Sequence, residues 1–216
     1  LCAQNELFMF EKEIKAYEEV LKAYRQKVTD RMALADLREY NEILFSAHSC
    51  AIEGNSFSVN DTRELKEKGL NVIPQGKTLF EAFEMLDHFK AYEYLFNQPE
   101  TPLTEELLKE THRILMEHTL TYRHPDAKPG EYTDTDMCAG DTIFGEHEQL
   151  IARVPQLLSS TQRALEENKI HPMILAARFH GFYEYLHPFR DGNGRIGRFF
   201  SNFILHKAGH PIVIIT

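Results

Sequence analysis

Residues 187–198 read HPFRDGNGRIGR, and large apolar side chains follow at Phe199, Phe200, Phe203 and Ile204. These apolar positions recur at the spacing of a helix that buries one face. We therefore expect the glycine-rich segment to form the N-terminus of a buried helix. The first backbone N–H groups of a helix have no partner within it, so this N-terminus is a ready site for an anion.

The composition excludes several classes of protein. The chain has 216 residues, of which 43% are hydrophobic and 26% are charged, which is enough for a well-packed core. Its formal net charge of −9 would repel a polyphosphate backbone, so we expect no nucleic acid partner. No apolar run approaches the roughly 18 residues that cross a bilayer, so we expect no membrane span.

The cysteines are Cys2, Cys50 and Cys138, which are widely spaced and form no C-x-x-C pair. An odd number without paired spacing argues against both a disulfide framework and a zinc knuckle. We therefore expect the protein to reside in the reducing cytoplasm.

Helical periodicity dominates most of the chain. Residues 7–28 place apolar side chains at alternating steps of three and four, which predicts an amphipathic helix. We expect this helix to pack on its own domain, and pairing of two subunits through it is the alternative. Further helices are predicted over 36–53, 60–69, 78–96, 150–167, 173–186 and 195–207, and another begins near 104.

Residues 122–148 are the exception to this pattern. Proline, glycine and threonine recur there at intervals too short for a helix, and they predict a β-hairpin flap over 132–143 with its turn near Gly140. Elsewhere, Asn60 and Asp61 with Glu64 resemble a capping box at a helix start. The predicted fold class is all-α, with one small β-hairpin.

The motif at 187–198 contains the groups needed to move a phosphate-linked group. A histidine near its usual pKa of about 6.5 can accept a proton from a hydroxyl. His187 lies at the end of a predicted helix, because Pro188 prevents that helix from continuing. Asp191 offers the hard oxygen that Mg²⁺ prefers. Arg195 and Arg198 are three residues apart on the new helix, so we expect both to face the phosphates. Each residue alone more often caps a helix, forms a turn or makes a surface ion pair.

This stretch resembles the signature H-x-F-x-D-G-N-G-R-x-x-R of the Fic family, whose members mostly transfer AMP from ATP to protein hydroxyls. The resemblance implies a nucleotidyltransferase, namely a protein adenylyltransferase, that uses ATP with Mg²⁺ or Mn²⁺. It implies that His187 is the catalytic base, that Asp191 holds the metal, and that the two arginines bind the outer phosphates. The residues implied to bind the nucleotide are Asp191, Gly192, Asn193, Gly194, Arg195 and Arg198, with Met137 and Gly140 of the flap as candidates for contact with the base.

The likeness extends over 104–216, which we take as the Fic catalytic core, and leaves 1–103 as an N-terminal helical region. The predicted flap at 132–143 falls where the family binds its target protein as an added strand. At 130–133 the sequence G-E-Y-T replaces the more usual G-x-Y-R. We therefore expect a protein substrate to dock on this flap.

A second motif lies upstream, at 49–54, and reads SCAIEG. Its composition is that of a helix end, with Gly54 as the stop. It also resembles the inhibitory signature [S/T]-x-x-x-E-[G/N] that a subgroup of the Fic family carries before its catalytic core. The resemblance implies that Glu53 pairs with Arg198 and occupies the space of the ATP γ-phosphate, so the resting enzyme is autoinhibited. In the family this glutamate can also place the water that removes AMP from a target, so both reactions stay open.

Two other functions stay open from the sequence. One is transfer of a different phosphate-linked group, such as UMP, phosphate or phosphocholine. The other is a nucleotide-gated interaction module without catalysis, docked through 7–28, although the intact His187 argues against it. The acceptor can be another protein or the chain itself, and a homodimer is open.

Overall fold

The computed structural model describes residues 10–71 and 73–216. The second half of the predicted flap forms two short strands, and nearly all other regular structure is helical, so the predicted all-α fold with one small hairpin is confirmed. The helices are α1 (Glu11–Tyr24), α2 (Leu34–Ile52), α3 (Val59–Lys68), α4 (Leu79–Phe96), α5 (Glu105–Leu115), α6 (Leu120–Arg123), α7 (Leu150–Glu167), α8 (Pro172–Leu186) and α9 (Asn193–Lys207). A π-helical turn over Arg25–Thr29 extends α1, and 3₁₀ turns occupy Gly69–Asn71 and His147–Gln149.

The aromatic side chains of α9 form the centre of the core. Phe199, Phe200 and Phe203 are fully buried. Phe199 packs edge-on against Phe45 of α2, with ring centroids 5.1 Å apart, and Phe200 stacks on Phe179 of α8 at 6.1 Å. Residues on both sides of the predicted boundary at 103/104 share this one core. Helices α2 and α4 of the N-terminal region are therefore packed directly on the helix that carries the motif.

Side-chain caps define where several helices begin. The Ser58 hydroxyl accepts from the Asp61 amide at 3.1 Å, and the Asp61 carboxylate accepts from the Ser58 amide at 2.9 Å. This capping box opens α3, so the predicted box at Asn60, Asp61 and Glu64 was wrong: the cap is Ser58, and the carboxylate that completes the box is Asp61 instead of Glu64. Ser58 has the extended backbone of a cap residue, which lets its hydroxyl reach the Asp61 amide.

The first helix packs on its own chain. The Tyr17 hydroxyl bonds His210 Nδ1 at 2.7 Å, Glu18 bonds His171 at 2.9 Å, and Arg25 donates to the Gly209 carbonyl at 3.0 Å. The predicted amphipathic helix began at residue 7, and residues 7–9 lie outside the described part of the chain. The wider π-helical turn replaces the last predicted α-helical turn.

The flap is shorter than predicted. Strand β1 (Cys138–Ala139) pairs antiparallel with β2 (Thr142–Ile143), and Gly140 lies in the turn with φ +58°. Residues 132–137 form no strand, because Thr133 bonds the backbone and hydroxyl of Thr135 instead of a neighbouring strand. Instead of pairing as a strand, this first half of the flap is attached to the motif by the hydrogen bond from the Thr133 amide to the Pro188 carbonyl.

Two further findings concern the expected location. Within the described ranges, no helix has the length and apolarity that crossing a bilayer would need. Cys50 and Cys138 are both free thiols, and burial raises the pKa of the Cys50 thiol to about 12. Cys2 lies outside the described residues.

The buried aromatic cluster predicts a large energetic effect at its centre. Because Phe199 is fully buried, we expect Phe199→Ala to lower the free energy of unfolding by about 3–5 kcal/mol. Urea denaturation at neutral pH measures this value. The control is Ile151→Ala, whose side chain is 77% exposed and which we expect to change stability by no more than about 0.5 kcal/mol. Equal effects of the two changes would contradict the assignment of the core.

Candidate functional site

His187 is held at the end of α8 in a strained conformation. Its backbone has φ +45°, the left-handed region, and its amide donates to the Tyr183 carbonyl at 2.9 Å. The imidazole stacks on the Phe144 ring with centroids 3.9 Å apart and planes 8° from parallel. Gly145 donates to the Tyr185 carbonyl at 2.7 Å, so the end of the flap is attached to the end of α8. Backbone hydrogen bonds therefore fix His187 and also attach the segment that carries Phe144 to the end of α8.

The loop after His187 is clamped by one asparagine. Asn193 accepts from the Phe189 amide at 2.9 Å and donates to the Phe189 carbonyl at 2.6 Å. Phe189 itself is fully buried. Its ring stacks on the His112 imidazole of α5 with centroids 3.7 Å apart. Asn193 is therefore a structural clamp on the loop as well as a member of the motif.

His112 of α5 supports the same loop through hydrogen bonds of both ring nitrogens. Its Nδ1 accepts from the Gly130 amide at 2.8 Å, so its Nε2 carries the proton and donates to the Asp191 carbonyl at 3.0 Å. Burial lowers the pKa of His112 to about 4, so the ring is neutral at physiological pH. The first half of the flap adds a bond from the Thr133 amide to the Pro188 carbonyl at 2.9 Å.

The glycines of the motif are required by close approach. A Cβ on Gly192, which has φ +79°, would lie 2.8 Å from Met116 Sδ. A Cβ on Gly194 would lie 2.5 Å from Glu53 Oε1. The Glu53 carboxylate therefore lies directly against the N-terminal turn of α9, where free backbone N–H groups favour a negative charge.

Arg198 binds both polar residues of the upstream motif. Its Nη2 lies 2.6 Å from Glu53 Oε1, its Nε donates to Ser49 Oγ at 3.0 Å, and its Nη2 also donates to the Ser49 carbonyl at 2.9 Å. Ser49 and Glu53 are four residues apart, one turn of α2 and its C-terminal cap, so both reach one guanidinium. The structure thus brings the predicted pair of Glu53 and Arg198 together.

Arg195 does not face the same space as Arg198. Its guanidinium is buried and pairs with Glu84 Oε1 of α4 at 2.7 Å, and its Nη2 lies 3.6 Å from Asp191 Oδ1. Residues three apart on a helix share a face, but these two guanidiniums turn to different carboxylates: Arg195 to the buried Glu84, and Arg198 to Glu53. The expectation that both bind phosphates stays a prediction.

Asp191 is placed between cations at the edge of the site. Its Oδ1 accepts from the Gly192 amide at 2.6 Å, and its Oδ2 lies 3.3 Å from Arg123 Nη1. The side chain is partly exposed and sits beside the backbone amides of the glycine turn. One carboxylate next to a phosphate cradle fits Mg²⁺, which takes one or two protein oxygens and fills its other positions with phosphate oxygens and water.

The two flap residues lie at different distances from the motif. Met137 contacts the Arg190 guanidinium through its Sδ at 3.6 Å, so it borders the loop. Gly140 lies in the exposed hairpin turn. Their contact with a base stays a prediction.

Sequence reasoning missed three residues that shape the site: Glu84, His112 and Glu184. Glu84 was detectable, because it is a carboxylate among the apolar positions of α4, and it is buried between Arg195 and the Asn55 amide, which donates to it at 2.9 Å. Glu184 precedes His187 by three residues, so the two share a helical face. His112 carried no local signal, because its partners lie far along the chain.

The Glu84–Arg195 pair predicts a stability effect. We expect Glu84→Gln to lower the free energy of unfolding by about 3–5 kcal/mol, because it leaves the Arg195 charge buried without its counterion. The measurement is chemical denaturation. Glu93→Gln on the same helix, with a side chain that is 59% exposed, is the matched control and should be nearly neutral. A neutral result for Glu84→Gln would contradict the buried ion pair.

His112 predicts a pH dependence of stability. The unfolded histidine has a pKa near about 6.5, while burial lowers the pKa of the folded residue to about 4. The unfolded state therefore binds the additional proton, and this contribution to stability is present above about pH 6.5 and is lost as the pH falls toward about 4. We expect His112→Gln to flatten the fall in unfolding free energy over this interval. Identical pH profiles for the two proteins would show that the ring is not buried neutral.

Comparison with known proteins identifies the family. Residues 102–205 match the model of the Fic/DOC family. Protein adenylyltransferase Fic of Nematostella vectensis is 33% identical over 171 residues, covering 78% of this chain and 38% of the relative. Protein adenylyltransferase Fic of Drosophila grimshawi is 33% identical over 199 residues, covering 86% of this chain and 39% of the relative. This chain thus spans less than two fifths of either relative.

A solved structure shows the same fold. The Fic domain containing signaling protein from Bacteroides thetaiotaomicron superposes with a TM-score of 0.75 at 27% identity, covering 84% of this chain and 68% of that chain. The matched family segment includes the complete motif at 187–198. Residues 102–205 therefore form a domain that matches the Fic/DOC family.

Proposed function

We propose that this protein is an adenylyltransferase that moves AMP from ATP to the hydroxyl of a serine, threonine or tyrosine, and that Glu53 holds it inactive. The Fic/DOC domain at 102–205 and the names of the relatives support the reaction.

The position of Glu53 is the observation that carries the proposal. Its carboxylate lies against Gly194 and 2.6 Å from Arg198, so an internal anion fills the cradle that the motif builds. A helix N-terminus and a guanidinium together favour a phosphate as strongly as a carboxylate. The Glu53 side chain is 31% exposed, so a competing anion can reach the same site.

The proposed chemistry uses His187 as the base. The acceptor hydroxyl gives its proton to the imidazole while its oxygen forms a bond to the α-phosphorus, and the bond from the α-phosphorus to the bridging oxygen breaks to release pyrophosphate. Asp191 would hold Mg²⁺ or Mn²⁺, which neutralises charge on the phosphate oxygens. The amides of Asn193 and Gly194 bind phosphate oxygens, and the Gly192 amide, which donates to Asp191 Oδ1, would join them if that carboxylate turned to the metal.

The arginines have different parts in this proposal. Arg198 binds the outer phosphates once Glu53 has left it. Arg195 binds no outer phosphate directly while it is paired with Glu84. Its Nη2 lies 3.6 Å from Asp191 Oδ1 and supports that carboxylate. Inhibition and nucleotide binding therefore compete for one guanidinium. The same Glu53 carboxylate is also the group that would place water for the reverse removal of AMP.

The flap is the proposed docking site for the acceptor protein. Strands β1 and β2 form a two-stranded hairpin with Ile143 76% exposed, and such an edge accepts an additional strand. Met137 and Gly140 are the proposed contacts for the base.

Self-modification is the simplest case, because the chain then supplies its own acceptor, and a homodimer would allow it between copies. The free Cys50 and Cys138 fit the reducing cytoplasm.

Removal of the inhibitory carboxylate tests the function. We expect Glu53→Gly to give AMP-modified protein with ATP and Mg²⁺, at least tenfold above wild type, which corresponds to about 1.4 kcal/mol of relieved inhibition. Intact-protein mass spectrometry reads the added mass, and peptide mapping reads the modified residue. His187→Ala in the same background should abolish the product.

Glu39→Gly, an exposed change on α2, is the matched control for loss of a glutamate in favour of glycine. It should leave the product at the wild-type level. If UTP or CDP-choline gave the modified protein a different added mass, the transferred group would be UMP or phosphocholine instead of AMP. Measurable ATP binding without any product in the Glu53→Gly protein would indicate a nucleotide-gated module.

A further inference from the structure

Three buried polar atoms without hydrogen-bond partners meet on one face of α8. They are His180 Nδ1, Glu184 Oε1 and His187 Nδ1. The three residues are spaced four and three apart, which places them on the same side of the helix. Buried polar groups are almost always paired, and each one left unpaired costs about 1–3 kcal/mol. Their concentration beside the proposed base therefore calls for a functional explanation.

The distances show that Glu184 lies between the two histidines. Its Oε2 is 3.9 Å from His187 Nδ1, and its Oε1 is 4.0 Å from His180 Nε2. These separations are too long for direct hydrogen bonds, but a bridging water or a small rotation of the carboxylate closes them. Because His187 Nδ1 is enclosed, Nε2 is the nitrogen that a substrate can reach.

Gly197 of α9 provides the space for this carboxylate. A Cβ at position 197 would lie 2.5 Å from Glu184 Oε1 and 3.0 Å from His180 Nδ1. Glycine inside a helix costs about 0.5–1 kcal/mol relative to alanine. The open position allows Glu184 and His180 to pack directly against the helix that carries the motif.

We propose that Glu184 is a positioning residue for His187: its carboxylate holds the imidazole through Nδ1, keeps Nε2 free as the base, and stabilises the protonated ring during transfer. A carboxylate behind a catalytic histidine fixes its tautomer and orientation in other enzymes with general-base histidines. The role in transfer rests on the proposed function, whereas the pairing of Glu184 with His187 does not.

The charges around Glu184 agree with this arrangement. His180 and His187 face it from α8, Arg198 from α9, and Glu53 from the end of α2. Burial raises the pKa of Glu184 and lowers the pKa of His187, which brings the two titrations toward each other. At His187 a hydrogen bond with the Glu184 backbone and the charges of Asp191 and Glu53 oppose the effect of burial on the pKa. The Glu184 carboxylate, 3.9 Å from Nδ1, would act in the same direction, so its removal should lower the pKa of His187 further.

Direct titration of His187 tests the pairing without any assay of activity. NMR of the histidine side chains, assigned with His187→Ala, gives the pKa of His187 in the full chain. We expect Glu184→Gln to shift it to lower pH and Glu167→Gln, an exposed change on α7, to leave it in place. An unchanged His187 pKa in Glu184→Gln would overturn the proposal.

Gly197→Ala offers an independent test that keeps the carboxylate. The added methyl group should displace Glu184, lower the pKa of His187 and lower the melting temperature. In a Glu184→Ala background the same change should lower the melting temperature less, because the closest contact is gone and only His180, at 3.0 Å, remains in the way. The same effect of Gly197→Ala in both backgrounds would contradict the contact. This variant also serves if Glu184→Gln does not fold.

The pH profile of AMP transfer connects the pairing with the reaction. In the Glu53→Gly background, the acid limb of the rate should move to lower pH in Glu184→Gln and the plateau should fall at least tenfold. A residue with only a structural role would lower the plateau without moving the limb. A shifted His187 pKa together with no AMP transfer in any variant would refute the proposed function and leave the positioning role standing.

Discussion

Burial of the aromatic side chains on α9 is the interaction on which the site depends. Phe199, Phe200 and Phe203 fix this helix between α2, α4 and α8. Once the helix is fixed, its N-terminal turn has one position, and Asn193 and His112 set the loop before it through backbone bonds. The hydrophobic core thus determines where free amide groups are presented, and the anion site follows from the packing.

The two arginines of the motif form ion pairs with two different carboxylates. Arg195 pairs with Glu84 inside the protein and stays there because separating a buried ion pair is costly. Arg198 pairs with Glu53 at a partly exposed position, where the pair is weaker and can be exchanged for another anion. Arg195 therefore supports the loop beside Asp191, and Arg198 is the guanidinium for which the proposed function has Glu53 and phosphate compete. Ser49 keeps Arg198 in place in either case.

Local signals in the sequence predicted the helices well and the connections less well. The limits of α7 were predicted to the residue, and those of α9 to within two, because periodicity and glycine or proline stops act over a few residues. The cap at Ser58 was missed because a second set of capping residues lay two positions further on. Half of the flap was missed because Thr133 bonds Thr135 and Pro188, and the second of these partners is distant in sequence.

The sequence by itself determined the helical fold, the motif at 187–198 and, through the resemblance to the Fic family, the expected pair of Glu53 with Arg198, because each motif consists of residues close together along the chain. Only the tertiary structure decided that Glu84 holds Arg195 and that Glu184 stands behind His187 beside Gly197. These choices depend on the directions of side chains from helices that meet in space, and helix packing sets those directions.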